Sequence, residues 1–221
     1  MAIKKNLDIL IRESFYDEII SSKWSSGQSL NIDELAEQFG ISRTPVTQAL
    51  KSMSVMRMVD CSSAGHYSIL SFDKKQGRDI LDVRLMLEQE AVNEIEKKEF
   101  LIDRDSLYDI SQKCIESNKS ETEHAVIQTR RMDLDFHRTL VAQARNECLS
   151  DLYHRVQGQF MVANYLLNSP SREQQMVAAE DHEKILIALS KKDYEQVHSL
   201  LKAHIDAAYQ KILKKMSLNN Y

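Results

Sequence analysis

The chain has 221 residues, of which 43% are hydrophobic and 28% charged, with a net charge of −4 and a pI near 6.0. That length makes one large domain or two small ones, and five glycines with two prolines leave too few turns for a many-stranded sandwich or barrel. The acidic balance excludes coating of nucleic acid or an anionic membrane by bulk charge, but not a local basic face.

Residues 7–59 read as three short helices. Ile11, Phe15, Ile19 and Ile20 form one apolar stripe, which Gly27 ends. Asn31 with Glu34 gives a capping-box start for a helix over Ile32–Phe39, and Gly40 stops it. Ser42 then caps a third helix whose first turn tolerates Pro45. Residues 61–70 have a turn centre at Gly65 between β-compatible arms and read as a hairpin. From Ser71 the pattern is helical, with helices near 73–98, 104–118, 121–144, 147–167, 172–190 and 194–215. The stops between them are short: Asp103, residues 118–120, Asn146, Ser169-Pro170-Ser171 and residues 191–193. The expected fold is mostly α: a winged helix-turn-helix over 1–70 and an antiparallel all-helical bundle over 71–221.

The cysteines, Cys61, Cys114 and Cys148, are odd in number, far apart and form no CxxC, so neither a zinc ribbon nor a disulfide framework is expected. No signal-peptide pattern opens the chain, and the apolar runs fall far short of the ~20 residues that span a bilayer. The expectation is a cytoplasmic protein without membrane contact.

Residues 32–51 have the pattern that a helix-turn-helix demands. Ala36 is small where the helices cross, Gly40 sits in the turn, and Val46 and Leu50 lock the second helix down. Ser42, Arg43, Thr44, Thr47, Gln48 and Lys51 are then left to face the groove, and Gly65 and His66 at the wing tip can approach the backbone or minor groove. Residues 1–70 carry 7 Lys+Arg against 8 Asp+Glu, yet Ser42–Val59 holds three cations and no acid. The stretch Gly40-Ile-Ser-Arg-Thr-Pro-Val resembles the signature of the GntR family of bacterial repressors, a resemblance that extends over residues 11–69. It implies binding to a palindromic operator in duplex DNA. Four positions depart from the family pattern. Thr47-Gln48 replaces Arg-Glu, Tyr16 stands where an Arg contacts the backbone, Ser26-Gly27 replaces Pro-Gly, and Met56-Arg57-Met58 replaces a Gly-containing end of the recognition helix. An Arg lost at position 47 changes sequence preference by about 1–3 kcal/mol per base pair.

In the second half, helical spacing sorts the histidines. His137, His182 and His204 have apolar neighbours at i±3 and i±4 and point inward, whereas His124, His154 and His198 keep polar company. Asp133 lies one turn before His137, and Asp135 falls between Arg131 and Arg138 in a surface charge cluster. An inward carboxylate needs a partner. Either Asp133 and His137 form a satisfied core pair, or Asp133, His137, His182 and His204 share a divalent metal; nitrogen–oxygen donors fit zinc, nickel, cobalt or manganese without selecting among them, and zinc is the expectation taken forward. Arg84 on an apolar face either pairs with Glu88 or receives a carboxylate, and Arg130 and Asn164 are further candidates for a cavity wall.

The order Arg84…Glu88, Asp133…His137, Asn146, Asp181-His182 and Asp193…His204 resembles the FCD effector domain of the FadR-type branch. That resemblance implies a metal held by the Asp and three His at the floor of an effector pocket, a small organic acid as ligand, and a homodimer. No HExxH, phosphate loop or nucleophile elbow is present, so no enzyme is expected; that the regulator is a repressor is what the family resemblance implies. The alternative is a metal-binding helical sensor whose head no longer binds DNA.

Overall fold

A computed structural model describes residues 2–99, 101–168 and 170–218. The stop expected at Ser169 lies outside them, while its neighbours Pro170 and Ser171 are described.

The N-terminal head comprises α1 (Ala2–Ile20), β1 (Ser29–Leu30), α2 (Ile32–Phe39), α3 (Arg43–Val55), β2 (Val59–Cys61) and β3 (Tyr67–Ile69). The hairpin is accompanied by an unanticipated third strand: the antiparallel sheet has order β1-β3-β2, with Leu30 opposite Tyr67 and Cys61 opposite Tyr67 on the other edge. Gly40 ends α2 at φ 63, and its N–H returns to the Ala36 and Glu37 carbonyls. Ser42 occupies the N-cap of α3 in extended conformation, but its side chain makes no capping bond, contrary to the sequence expectation. Phe15, Ile19, Val46, Leu50 and Met53, none more than 1% exposed, close the core of the head.

The bundle comprises α4 (Lys74–Lys98), α5 (Arg104–Ser117), α6 (Glu123–Ala142), α7 (Glu147–Val162), α8 (Arg172–Ser190) and α9 (Tyr194–Leu218). Several residues that stop one helix start the next. The side chains of Asp103, Asn146 and Asp193 accept from backbone N–H groups of the following helix, and Ser171 with Gln174 forms a full capping box. The stretch expected to continue α7 to residue 167 becomes a π-helical segment, Ala163–Asn168. Its wider turn carries Asn164 and Tyr165.

One apolar cluster runs from Ile11, Phe15 and Leu50 into Leu134, Phe160, Met161 and Ile205, so head and bundle are packed together. Gly158 of α7 is a point of close approach in that packing. A Cβ there would stand 2.8 Å from the Met56 carbonyl oxygen and 3.0 Å from Met58 Cγ, which explains a glycine inside a helix.

Candidate metal centre and nucleic-acid interface

The bundle brings the four expected donors together. Asp133 and His137 lie one turn apart on α6, His182 comes from α8 and His204 from α9. One ligand atom from each lies within 4.8 Å of all the others. His137 Nε2 is 3.1 Å from His182 Nε2 and 3.1 Å from His204 Nε2, and His182 Nε2 is 3.6 Å from Asp133 Oδ1. Two nitrogens about 2.1 Å from one ion are separated by about 3.0 Å at a right-angle arrangement and about 3.4 Å at a tetrahedral one, so the spacing suits a shared ion.

Proton placement favours the same conclusion. His137 Nδ1 is 2.8 Å from Glu88 Oε2; it donates its proton there and turns a lone pair toward the centre. If His204 Nε2 donated to that lone pair, its Nδ1 would turn a lone pair toward Asp181 Oδ2, 3.6 Å away, lone pair against carboxylate. With Nε2 on a metal, Nδ1 carries the proton and faces the carboxylate favourably. The donors therefore fit a divalent ion better than they fit a cluster of mutually hydrogen-bonded imidazoles. His182 stacks on Phe136 at 4.0 Å, and its Nδ1 is buried with no hydrogen-bond partner among the described residues.

The electrostatics disfavour protonation of His137 and His182, and ligation requires uncharged imidazole. Burial, and then the neighbouring His137 and His204, hold His182 well below the usual histidine range. Burial also lowers His137, although Glu88 opposes it. Glu88 was read from sequence only as a partner for Arg84. It is the central acceptor of the second layer, taking hydrogen bonds from Arg84 Nε, Tyr153 Oη and His137 Nδ1, each at 2.8 Å. Burial disfavours its ionised form, but His137 and Arg84 more than offset this and hold it far below the carboxylate range. The (i, i+4) spacing of Arg84 and Glu88 was the available signal; Tyr153 had none.

A cavity of about 60 Å³ opens beside the donors. Arg130, Asp133, Asn164, Tyr165 and His204 line it together with apolar groups such as Phe160 and Ala207. A water needs about 10–15 Å³ by this measure, so the space suits a molecule of a few heavy atoms. Two of the three expected effector contacts, Arg130 and Asn164, are on its wall. Arg84 is not: it is 1% exposed, paired with Glu88 and lies over the Phe160 ring at 3.9 Å, so the pairing alternative is the one realised. Arg131 also departs from expectation. It leaves Asp135 to Arg138 and binds Glu13 and Asp17 of α1 at 2.9 and 2.6 Å. Tyr16 faces a second cavity of about 290 Å³ between α1, α6 and α7, donates to Met56 Sδ at 3.3 Å, and is pushed up to about 12 chiefly by burial.

On the head, Ser42, Arg43, Thr44, Gln48, Lys51, Gly65 and His66 are exposed and Thr47 is half-buried. The Thr47 hydroxyl donates to the Arg43 carbonyl at 2.9 Å, so its proton is used within the helix. Arg43 Nε lies 3.1 Å from Asp33 Oδ1, an exposed pair that costs little to break. The wing turns through Gly65 at φ 81, closed by the Ser62 hydroxyl accepting from His66 N.

Residues 11–63 match the family model for bacterial regulatory proteins of the gntR family, and residues 79–207 match that for the FCD domain. The chain belongs to the GntR family. It is 26% identical over 200 residues to YdhC, an uncharacterized HTH-type transcriptional regulator of Bacillus subtilis (strain 168), covering 87% of this chain and 86% of that protein. It is 23% identical over 199 residues to the Nta operon transcriptional regulator of Aminobacter aminovorans, covering 88% and 89%. The fold is that of E. coli McbR/YncC (TM-score 0.78, 19% identity, covering 94% and 97%). A GntR regulator from Rhodococcus sp. RHA1 shares it as well (TM-score 0.76, 16% identity, covering 97% and 99%). This GntR protein is a transcriptional regulator, and none of its described helices is long and apolar enough to cross a membrane.

Proposed function

We propose that this regulator is a cytoplasmic, homodimeric repressor that binds operator DNA through residues 1–70 and is controlled by a small carboxylate bound near a divalent metal in residues 71–221. The observation that carries the reading is the convergence of Asp133, His137, His182 and His204 beside a cavity walled by a buried guanidinium. Those four side chains would hold the ion, with zinc favoured, then nickel, cobalt or manganese. When bound, the ion supplies Lewis acidity toward an anionic ligand.

The residues of the chain do the rest. Glu88 fixes the tautomer and orientation of His137, and Arg84 and Tyr153 fix Glu88. Arg130 and Asn164 present polar groups to an acid in the cavity, and apolar walls exclude water. On the head, Arg43, Thr44 and Gln48 face base edges, while Ser42, Lys51, Gly65 and His66 approach the backbone. Thr47 contributes an acceptor and a methyl group. Two-fold pairing of chains places two recognition helices on the two half-sites of a palindrome. Arg43 is held only by a weak, exposed pair with Asp33, so releasing it to DNA would cost little.

The test is fluorescence anisotropy of the full chain on DNA from its own upstream region, titrated at rising salt. The expected result is tight binding at low salt that weakens steeply as phosphate contacts release counterions. Failure to bind any fragment at low salt would favour the helical metal sensor without DNA contact.

A further inference from the structure

The helix that carries Asp133 and His137 also holds the head. Lys23, just beyond α1, pairs with Glu123 of α6 at 2.8 Å, and Arg131 reaches Glu13 and Asp17 of α1. Between these ties lies Arg130, whose Nη1 donates to the carbonyl of Ile20, the last residue of α1, and to Ser22 Oγ at 3.3 Å. Its Nη2 donates to the Pro170 carbonyl at 3.3 Å, and the Ser22 hydroxyl donates in turn to the Tyr165 carbonyl at 2.7 Å.

Two features set Arg130 apart from the other buried guanidinium. Arg84 has a carboxylate; Arg130, 7% exposed, has only neutral acceptors, and no carboxylate lies within ion-pair distance among the described residues. Its Nε is buried with no hydrogen-bond partner, although the residue lines the cavity beside Asp133 and His204. A buried cation without a counter-ion is costly. A carboxylate adds to such hydrogen bonds the attraction of a full opposite charge in a low-dielectric site, which a carbonyl dipole does not supply. An anion entering the cavity therefore offers this group a better partner than the α1 carbonyl does.

We infer that Arg130 recognises the carboxylate of the effector and, in doing so, gives up Ile20 and Ser22, loosening the end of α1 from the bundle. This rests on the proposal of a small acid in the cavity and adds the residue by which the head senses it. An exchange of this kind makes the effector's differential affinity for two positions of one side chain into a difference in head mobility.

Trp24, the sole tryptophan, lies two residues beyond Ser22, stacked on Phe15 at 5.7 Å and donating to Glu18 Oε2, so it reports on this junction. The experiment combines Trp24 emission with hydrogen exchange of the amides of residues 14–24 in the full chain, with calorimetry of acetate, pyruvate and succinate. Arg130→Met should speed exchange in that segment about tenfold, the effect of one or two lost hydrogen bonds. An acid that gives heat with the native chain should move the same amides and Trp24 in the same direction, and should add nothing in Arg130→Met. Ser22→Ala, which removes one acceptor without touching the cavity wall, should give a smaller change of the same sign even if Arg130→Met fails to fold. Heat without any response at residues 14–24, or unchanged exchange in a folded Arg130→Met, overturns this inference alone. No heat from any of the three acids overturns it together with the carboxylate reading.

Discussion

The head keeps its working charges in water, whereas the bundle keeps its own in the core. Arg43, Gln48 and Lys51 are exposed and bound to little, while Arg84, Glu88, His137 and His182 are at most 1% exposed and bound to one another. An exposed side chain can be exchanged at almost no folding cost, so a recognition surface can change partners while its scaffold stands. A buried polar network cannot, because each member satisfies another and removing one leaves charge or a donor stranded. Binding and folding should thus separate in the first half of this protein and coincide in the second.

Glu88→Ala tests that contrast most severely. It strands Arg84, Tyr153 Oη and His137 Nδ1 together in the core, and should cost about 3–5 kcal/mol in a denaturant titration. A loss below 1 kcal/mol would place the bundle's network on the same footing as a surface pair. Arg43→Ala probes the opposite side. Operator affinity should fall by about 1–3 kcal/mol or more while the melting temperature and metal content stay put; a parallel loss of stability would show that the head, too, couples binding to folding. The smallest effect sharpens the picture of the head. Arg57 takes φ 57 in the turn after α3, a left-handed conformation that disfavours side chains. Arg57→Gly should therefore raise stability by up to about 1 kcal/mol, measured by thermal melting, and weaken DNA binding only as far as one exposed cation contributes.

The same contrast decides what the sequence disclosed. Helical period was enough to sort His137, His182 and His204 from His124, His154 and His198, because burial on one face leaves an imprint every three to four residues. Gly40 marked its cap because the helix end needs a left-handed backbone that glycine adopts freely. Strand β1 was missed because two residues carry no alternation, and the π-helical segment because its composition is that of any apolar helix end. Arg131 has Asp135 four residues away, yet its actual partners are more than a hundred residues distant on α1. Nor could local spacing show that Arg84 and Tyr153 meet on one carboxylate. The divalent donor set was legible as inward residues; their meeting within 4.8 Å is a property of how α6, α8 and α9 cross.

The most direct test of the account is native mass spectrometry of the full chain purified without chelator, beside His182→Ala. The expected result is paired native chains, each carrying the mass of one divalent ion, and a variant that loses the ion and melts at lower temperature. Native protein that stays metal-free under excess zinc, or a variant with an undiminished metal-to-protein ratio, would contradict it.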